Sequence, residues 1–320
     1  VLFKNQKNRI ELIKEMYDYV STFKINLPTP ILAGVRSKLK FYSSCVLADC
    51  GDSIDSIFTT AHVVGKYTAR RSGIGVNMGR IRSVGSPIRN SEVISTGIIP
   101  FLKVIESAVK STSQNGLRGG GATISFPWWH YEAEDILVLK NNRGTDDNRV
   151  RKLDYCIQLE KVFYDRVIQN KTITLFCPNE VKDLYDSFGL DGFKDLYEKY
   201  ENDKSIKLKK IINARDLMAQ IAKERLETGR IYIMNIDHIN KSPWKEKINM
   251  VNLCVEVTQP TKPLQSITDT DGEIGICILS AINLLETKPE EIENVCKIIV
   301  YALNELIDYQ KYPFEAARKI

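Results

Sequence analysis

Residues 41–53 read Phe41-Tyr42-Ser43-Ser44-Cys45-Val46-Leu47-Ala48-Asp49-Cys50-Gly51-Asp52-Ser53. Positions 41–49 form a short apolar run that ends in turn residues, which reads as a buried strand. On one continuous strand Cys45 and Cys50 would point to opposite faces, because their spacing is odd. Asp52 and Ser53 both suit a helix N-cap. Ile54, Ile57, Ala61, Val64 and Tyr67 or Thr68 then make one stripe of a long helix. A strand running straight into a helix is the beginning of an α/β unit.

The pattern recurs along the chain. Apolar spacing predicts helices over 6–21, 96–110, 154–168, 192–203 and 214–227, and strands over 172–176 and 230–236. Thr287-Lys288-Pro289-Glu290 reads as a capping box with Pro in the first turn, opening a last helix. There Ile292, Val295, Cys296, Ile299, Ala302 and Leu303 repeat every three or four residues, which assigns Cys296 to the core. Strands alternating with helices predict an α/β architecture.

Bulk composition narrows the function. The 320 residues are 43% hydrophobic and 27% charged, ordinary values for a globular protein. A net charge of +5, spread thinly, argues against a nucleic-acid-binding protein. No apolar run approaches the roughly 20 residues of a membrane span and no signal peptide is evident, so a cytoplasmic location is expected, with no membrane partner. Seven cysteines without a C-x-x-C pair, and only three histidines, make a structural zinc site an unpromising reading.

Two glycine-rich stretches, 72–87 and 115–123, read as loops. Gly73, Gly75 and Gly79 miss the G-x-G-x-x-G spacing, and the second stretch lacks a G-K-[ST] ending. Arg80, Arg82, Arg89 and Arg118 stand near these glycines and could fork onto phosphate oxygens; plain surface loops are the alternative.

Asn252-Leu253-Cys254-Val255-Glu256 puts an amide, a thiol and a carboxylate at alternating positions. If extended, the three share a face. Such a strand could carry a buried structural thiol, since free cysteine behaves as a small hydrophobe. With Cys45 and with Cys277, the latter in the apolar run "EIGICILSAINL", it could instead form a redox site. A thiol pair delivers two electrons as it becomes a disulfide.

"FYSSCVLADCGDS", "GIGVNMGRIRSVGSPIR", "SQNGLRGGGAT", "PWWHYEAEDILVLKNNRG", "NLCVEV" and "GEIGICILSAINL" follow one another here. In order and approximate spacing, from about residue 10 to the last residue, this series resembles the large, catalytic subunit of class I ribonucleotide reductase. The resemblance implies a ten-stranded α/β barrel of two antiparallel half-barrels, each of five parallel strands, with a finger loop carrying a cysteine into its centre. It would place the first half-barrel, with effector-binding and dimerisation helices, at 1–245, the finger loop at 246–262 and the start of the second half-barrel at 263–320.

The resemblance also implies roles. Cys254 would become a thiyl radical, Glu256 the general base at the ribose 3′-hydroxyl, and Asn252 a substrate hydrogen-bond partner. Cys45 and Cys277 would be the redox-active pair. Thr29, Ser44 and Ser72 would line the substrate. Asp52, Ser53, Ile54, Arg82 and Arg89 would hold a deoxynucleoside triphosphate (or ATP) effector. Gln114 and Arg118 would belong to the loop that relays effector identity. That loop has Thr112 where relatives often have Cys, and Asn115 where they often have Gly.

The expected reaction is reduction of ribonucleoside diphosphates to deoxyribonucleotides. No metal or other cofactor is expected on this chain. The radical would come from a metal-containing small subunit, and reducing equivalents from thioredoxin or glutaredoxin. The segments that bind substrate phosphates, pass the radical and re-reduce the disulfide find no match here. A complementary C-terminal chain is therefore a further expected partner, and the resemblance itself implies a homodimer with the effector bound at its interface. A non-catalytic scaffold that dimerises and binds effector is the alternative.

Overall fold

The computed structural model describes residues 2–35, 37–112 and 119–319. Six strands form the main sheet: β1 (Cys45–Asp49), β2 (Gly73–Asn77), β3 (Ala122–Pro127), β4 (Leu153–Leu159), β5 (Ile231–Asn235) and β6 (Ile274–Cys277). Their spatial order is β5-β4-β3-β2-β1-β6. The first five pair in parallel, in chain order. β6 runs antiparallel to β1, with Ile274 opposite Ala48 and Cys277 opposite Cys45.

Helices make the crossovers. Ile54–Thr68 joins β1 to β2, and Ile99–Ser111 lies between β2 and β3. Lys161–Ile168, Phe193–Asn202 and Ala214–Thr228 fall between β4 and β5, around a two-stranded antiparallel insert, Thr172–Phe176 with Lys209–Asn213. Capping follows the sequence. Ser53 Oγ accepts from Ser56 N at 3.1 Å, Glu160 from Val162 N at 2.9 Å, and Asn213 Oδ1 from Arg215 N at 2.8 Å. Gly229, in the left-handed region at φ 65°, ends the Ala214–Thr228 helix.

A parallel sheet covered on both faces buries nearly every strand residue. All five residues of β1 and all six of β3 are buried. Trp128, just beyond β3, packs its ring against Phe163 and Tyr197, with centroids 5.3 and 5.1 Å away. A second apolar cluster lies outside the sheet, where Met16 of the Arg9–Ser21 helix joins Val295, Ile298 and Ala302 of the Ile292–Tyr309 helix. Among the described residues no helix is long and apolar enough to cross a membrane.

Four local expectations are corrected. The stretch 72–87 is not all loop, because Gly73–Asn77 is the buried strand β2. The helix expected over 154–168 begins only at Lys161, after strand β4. The expected capping box lies one residue later: Glu291 Oε2 accepts from Lys288 N at 3.0 Å, and Pro289–Glu291 is a 3-10 turn ahead of the helix. Cys296 is exposed rather than core. Val295, Ile298, Ile299, Ala302 and Leu306 define the buried stripe, and Cys296 turns about 100° away from its neighbour Val295.

Candidate active site

Between β5 and β6 the chain folds back as a finger across one face of the sheet. Its ascending leg is fastened at successive points. Lys247 Nζ donates to Tyr185 O at 2.6 Å, and Ile248 exchanges two hydrogen bonds with the Asn240 side chain, at 2.8 and 3.1 Å. Gln158 of β4 donates to Asn249 O at 2.5 Å. Thr123 Oγ1 of β3 donates to Leu253 O at 2.7 Å.

Glycines make the passage possible. A β-carbon on Gly75 would stand 2.1 Å from Val251 O, and one on Gly73 would stand 2.3 Å from Leu253 Cδ2. Two positions that read as loop glycines are thus strand positions over which the finger lies, with the Leu253 side chain against Gly73 and the Val251–Asn252 backbone against Gly75.

The tip is a tight turn, not the extended strand expected for residues 252–256. Val255 adopts φ 66°, unusual for a β-branched residue. Asn252 Oδ1 accepts from both Glu256 N and Val257 N at 3.0 Å, and Val255 N donates to Asn252 O at 3.3 Å. The asparagine folds the chain around its own side chain, so the three polar groups do not share a strand face. Asn252 is buried beneath, while Cys254 and Glu256 are exposed at the tip.

The turn nevertheless brings the chemistry together. A ligating atom from each of Cys45, Cys254 and Glu256 lies within 4.8 Å of the other two. Cys277 stands opposite Cys45 across the β1–β6 ladder. Directly opposed antiparallel residues have Cα atoms about 4.5–5.5 Å apart, inside the reach of a disulfide. Cys45 and Cys277 are free thiols.

Burial pushes the Cys45 thiol up to about 12, an effect the Asn252 amide opposes and Cys254, Cys277 and Glu256 reinforce. Burial, then Glu256 and Cys254, push Cys277 up to about 11. Both sulfurs therefore carry their protons at neutral pH. Among the described residues Ser44 Oγ is buried without a hydrogen-bond partner, and the buried Asn252 amide faces only the Cys45 sulfur, so both have capacity left for something else to satisfy.

Other expected residues fall in different places. Ser72 spends its hydroxyl on Ser43 O at 2.7 Å and its N–H on Tyr67 O at 3.2 Å. Thr29 is exposed at the start of the Thr29–Gly34 helix. At the far end of β1, Ser53 caps the Ile54–Thr68 helix, and Ile54 is exposed. Asp52 is not an N-cap; it takes Arg82 N at 3.0 Å and Arg82 Nε at 2.9 Å. Arg89 sits exposed at the tip of a short hairpin, Pro87–Ile88 with Val93–Ile94. Gln114 and Arg118 lie outside the described residues.

The chain matches the family model "Ribonucleotide reductase, barrel domain" over residues 43–320. It belongs to the ribonucleotide reductase barrel family. Five parallel strands, an antiparallel sixth and a finger laid across them fit that barrel. The chain is 51% identical to the ribonucleoside-diphosphate reductase subunit alpha of Buchnera aphidicola subsp. Acyrthosiphon pisum, a match covering 97% of this chain and 42% of that protein. It is 52% identical to subunit alpha of Escherichia coli ribonucleoside-diphosphate reductase 1, over 82% of this chain and 36% of the relative. The subunit alpha of Enterobacteria phage T4 is 43% identical, over 98% and 42%. The chain thus spans less than half the length of these reductase relatives.

Several residues that build this candidate site were missed from sequence. Thr123 lay within a quoted motif, yet only the fold shows that it holds the finger. Asp49, Asn77 and Tyr185 form a buried polar group at the finger root: Asn77 Nδ2 donates to Asp49 Oδ1 and to Tyr185 Oη, both at 2.7 Å. Burial raises Asp49 to about 6 and lowers Lys247 to about 7. A polar residue inside an otherwise apolar strand, such as Asn77 or Gln158, was the available signal.

Proposed function

We propose that this chain carries the catalytic core of a ribonucleoside-diphosphate reductase large subunit, reducing ribonucleotides to deoxyribonucleotides for DNA synthesis. The convergence of Cys45, Cys254 and Glu256, with Cys277 opposite Cys45, carries the reading. In this reaction Cys254, as a thiyl radical, takes the 3′-hydrogen of the ribose. Glu256 accepts the 3′-hydroxyl proton; a carboxylate within about 3 Å of a hydroxyl suffices. The 2′-hydroxyl leaves as water and a hydrogen takes its place. Cys45 and Cys277 supply the two electrons and two protons for this, and an S–S bond forms between them. Cys254 then returns hydrogen to the 3′-carbon, and Glu256 returns the proton to the 3′-oxygen.

The protonation states support these roles, since Cys45 and Cys277 hold the protons they must give up. In this reading Asn252 and Ser44 hold ribose hydroxyls, and Thr29 and the backbone around Ser72 line the substrate. A metal-containing small subunit supplies the radical, thioredoxin or glutaredoxin the reducing equivalents, and a C-terminal part of the large subunit the rest of the barrel. Asp52, Ser53, Ile54, Arg82 and Arg89 form the site for a deoxynucleoside triphosphate or ATP effector. Exposed apolar residues Ile54 and Phe58 support dimerisation through the same helix.

Reductase turnover by the complete polypeptide with its small subunit tests the proposal. Loss of turnover in Cys45→Ser and Cys277→Ser, each still folded, is expected. Full turnover supported by thioredoxin in either variant would overturn it.

A further inference from the structure

The two legs of the finger end in different places. The ascending leg is pinned across the sheet, whereas the descending leg runs past β6 to the N-terminus of the Ile54–Thr68 helix. There Ser53 Oγ donates to Gln265 Oε1 at 2.9 Å, linking residues 212 positions apart. The contact is seated. A β-carbon on Gly51 would stand 3.2 Å from Gln265 Nε2 and 3.4 Å from Pro263 Cβ, and Leu264 between them is buried.

Gln265 also belongs to a stiff loop. Its N–H donates to Asp269 Oδ2 at 2.7 Å, and Asp269 Oδ1 accepts from Asp271 N and Gly272 N at 2.7 and 3.1 Å. Lys262 and Glu273 close the loop with two backbone hydrogen bonds, at 3.2 and 3.1 Å, and an ion pair at 2.8 Å. Cys254 lies before this loop and Cys277 lies at the end of the strand that follows it.

We infer that Gln265 is a positioning residue, through which a nucleotide bound at Asp52, Ser53 and Ile54 acts on the finger that carries Cys254. The inference rests on the effector reading given above. Ser53 has a single hydroxyl proton. One of its lone pairs already caps Ser56 N. A nucleotide oxygen that takes the Ser53 proton therefore takes it from Gln265, and the descending leg loses that tie. A ligand shifts an equilibrium only through a contact that differs between the two states, and this bond is such a contact. Losing one neutral hydrogen bond corresponds to about a 2- to 10-fold change in the equilibrium.

The test is the rate at which N-ethylmaleimide labels Cys254 in the complete polypeptide, mapped by mass spectrometry, with and without saturating dTTP, dATP or dGTP. Nucleotide binding is measured separately by calorimetry. In the wild type, bound nucleotide should change the labelling rate. Gln265→Ala without nucleotide should already label at the nucleotide-bound wild-type rate and respond little further. Gln265→Glu, isosteric and still an acceptor for Ser53, should keep the wild-type response. A merely structural Gln265 would alter the basal rate and leave the nucleotide response in place. If nucleotide binds and Gln265→Ala responds as the wild type does, or if the wild type shows no response, the inference is wrong. If the wild type binds none of the three nucleotides, the effector reading itself fails.

Discussion

Gly75 has no side chain where the carbonyl oxygen of Val251 passes it, and a β-carbon there would stand 2.1 Å from that oxygen. The oxygen is backbone and a β-carbon's position is fixed by the backbone that carries it, so neither can rotate aside. Gly75→Ala should destabilise the fold by about 1–3 kcal/mol, the usual cost of overpacking. It should also lift the finger off the sheet. Chemical denaturation gives the first quantity and loss of reductase activity reports the second. A variant of wild-type stability and activity would show that the finger does not lie where the structure has it.

That glycine also shows what the sequence hid. The strand–helix unit at 41–68 was legible, because an apolar run and an N-cap are local signals. The pairing of Cys45 with Cys277 was reached only through the family resemblance. Gly73–Asn77 read as a loop because its glycines answer to the finger, a partner about 175 residues away along the chain. Leu153–Leu159 is buried on nearly every residue, so it has no two-residue period and merged with the helix that follows. The turn at 252–256 was invisible for a third reason. Its alternation of polar and apolar residues mimics a strand, while the Asn252 side chain bends the backbone.

Asn252 separates folding from chemistry. Its Oδ1 holds two N–H groups of the turn, and its amide nitrogen is buried beside the Cys45 thiol. Asn252→Ala should cost about 1–3 kcal/mol by leaving donors unmet. Asn252→Asp keeps the acceptor and should retain more of that stability, while losing the amide donor and most of the activity. Denaturation midpoints and turnover, measured together, check both. Equal stability loss in the two variants would contradict the role given to Oδ1.

Cys45 and Cys277 should oxidise to one another. Treating the reduced protein with diamide and mapping its peptides should yield a Cys45–Cys277 cross-link as the main product. Burial holds both thiols protonated at neutral pH, so their alkylation should be slow and should quicken as pH rises toward 11 and 12. Recovery of both as unlinked thiols after full oxidation would refute the pairing.

Glu132 predicts a pH dependence. Its Oε2 accepts from Val84 N at 3.1 Å and Ile98 N at 3.2 Å, closing the base of the hairpin that carries Arg89. Burial raises its carboxyl from 4.5 to about 7, against the pull of those N–H groups. The folded state therefore keeps a proton that the unfolded state releases, and stability falls as pH rises between the two values. Glu132→Gln, which keeps the acceptor without the charge, should gain in Tm relative to the wild type as pH goes from 5 to 8. A difference independent of pH would show that the carboxyl does not titrate there.

The central claim is that Cys254 is the reacting sulfur, and one substitution tests it most directly. Cys254→Ala in the complete polypeptide, assayed with the radical-generating small subunit, should bind nucleotide as the wild type does and show no turnover above background. Normal turnover by that variant would contradict the account.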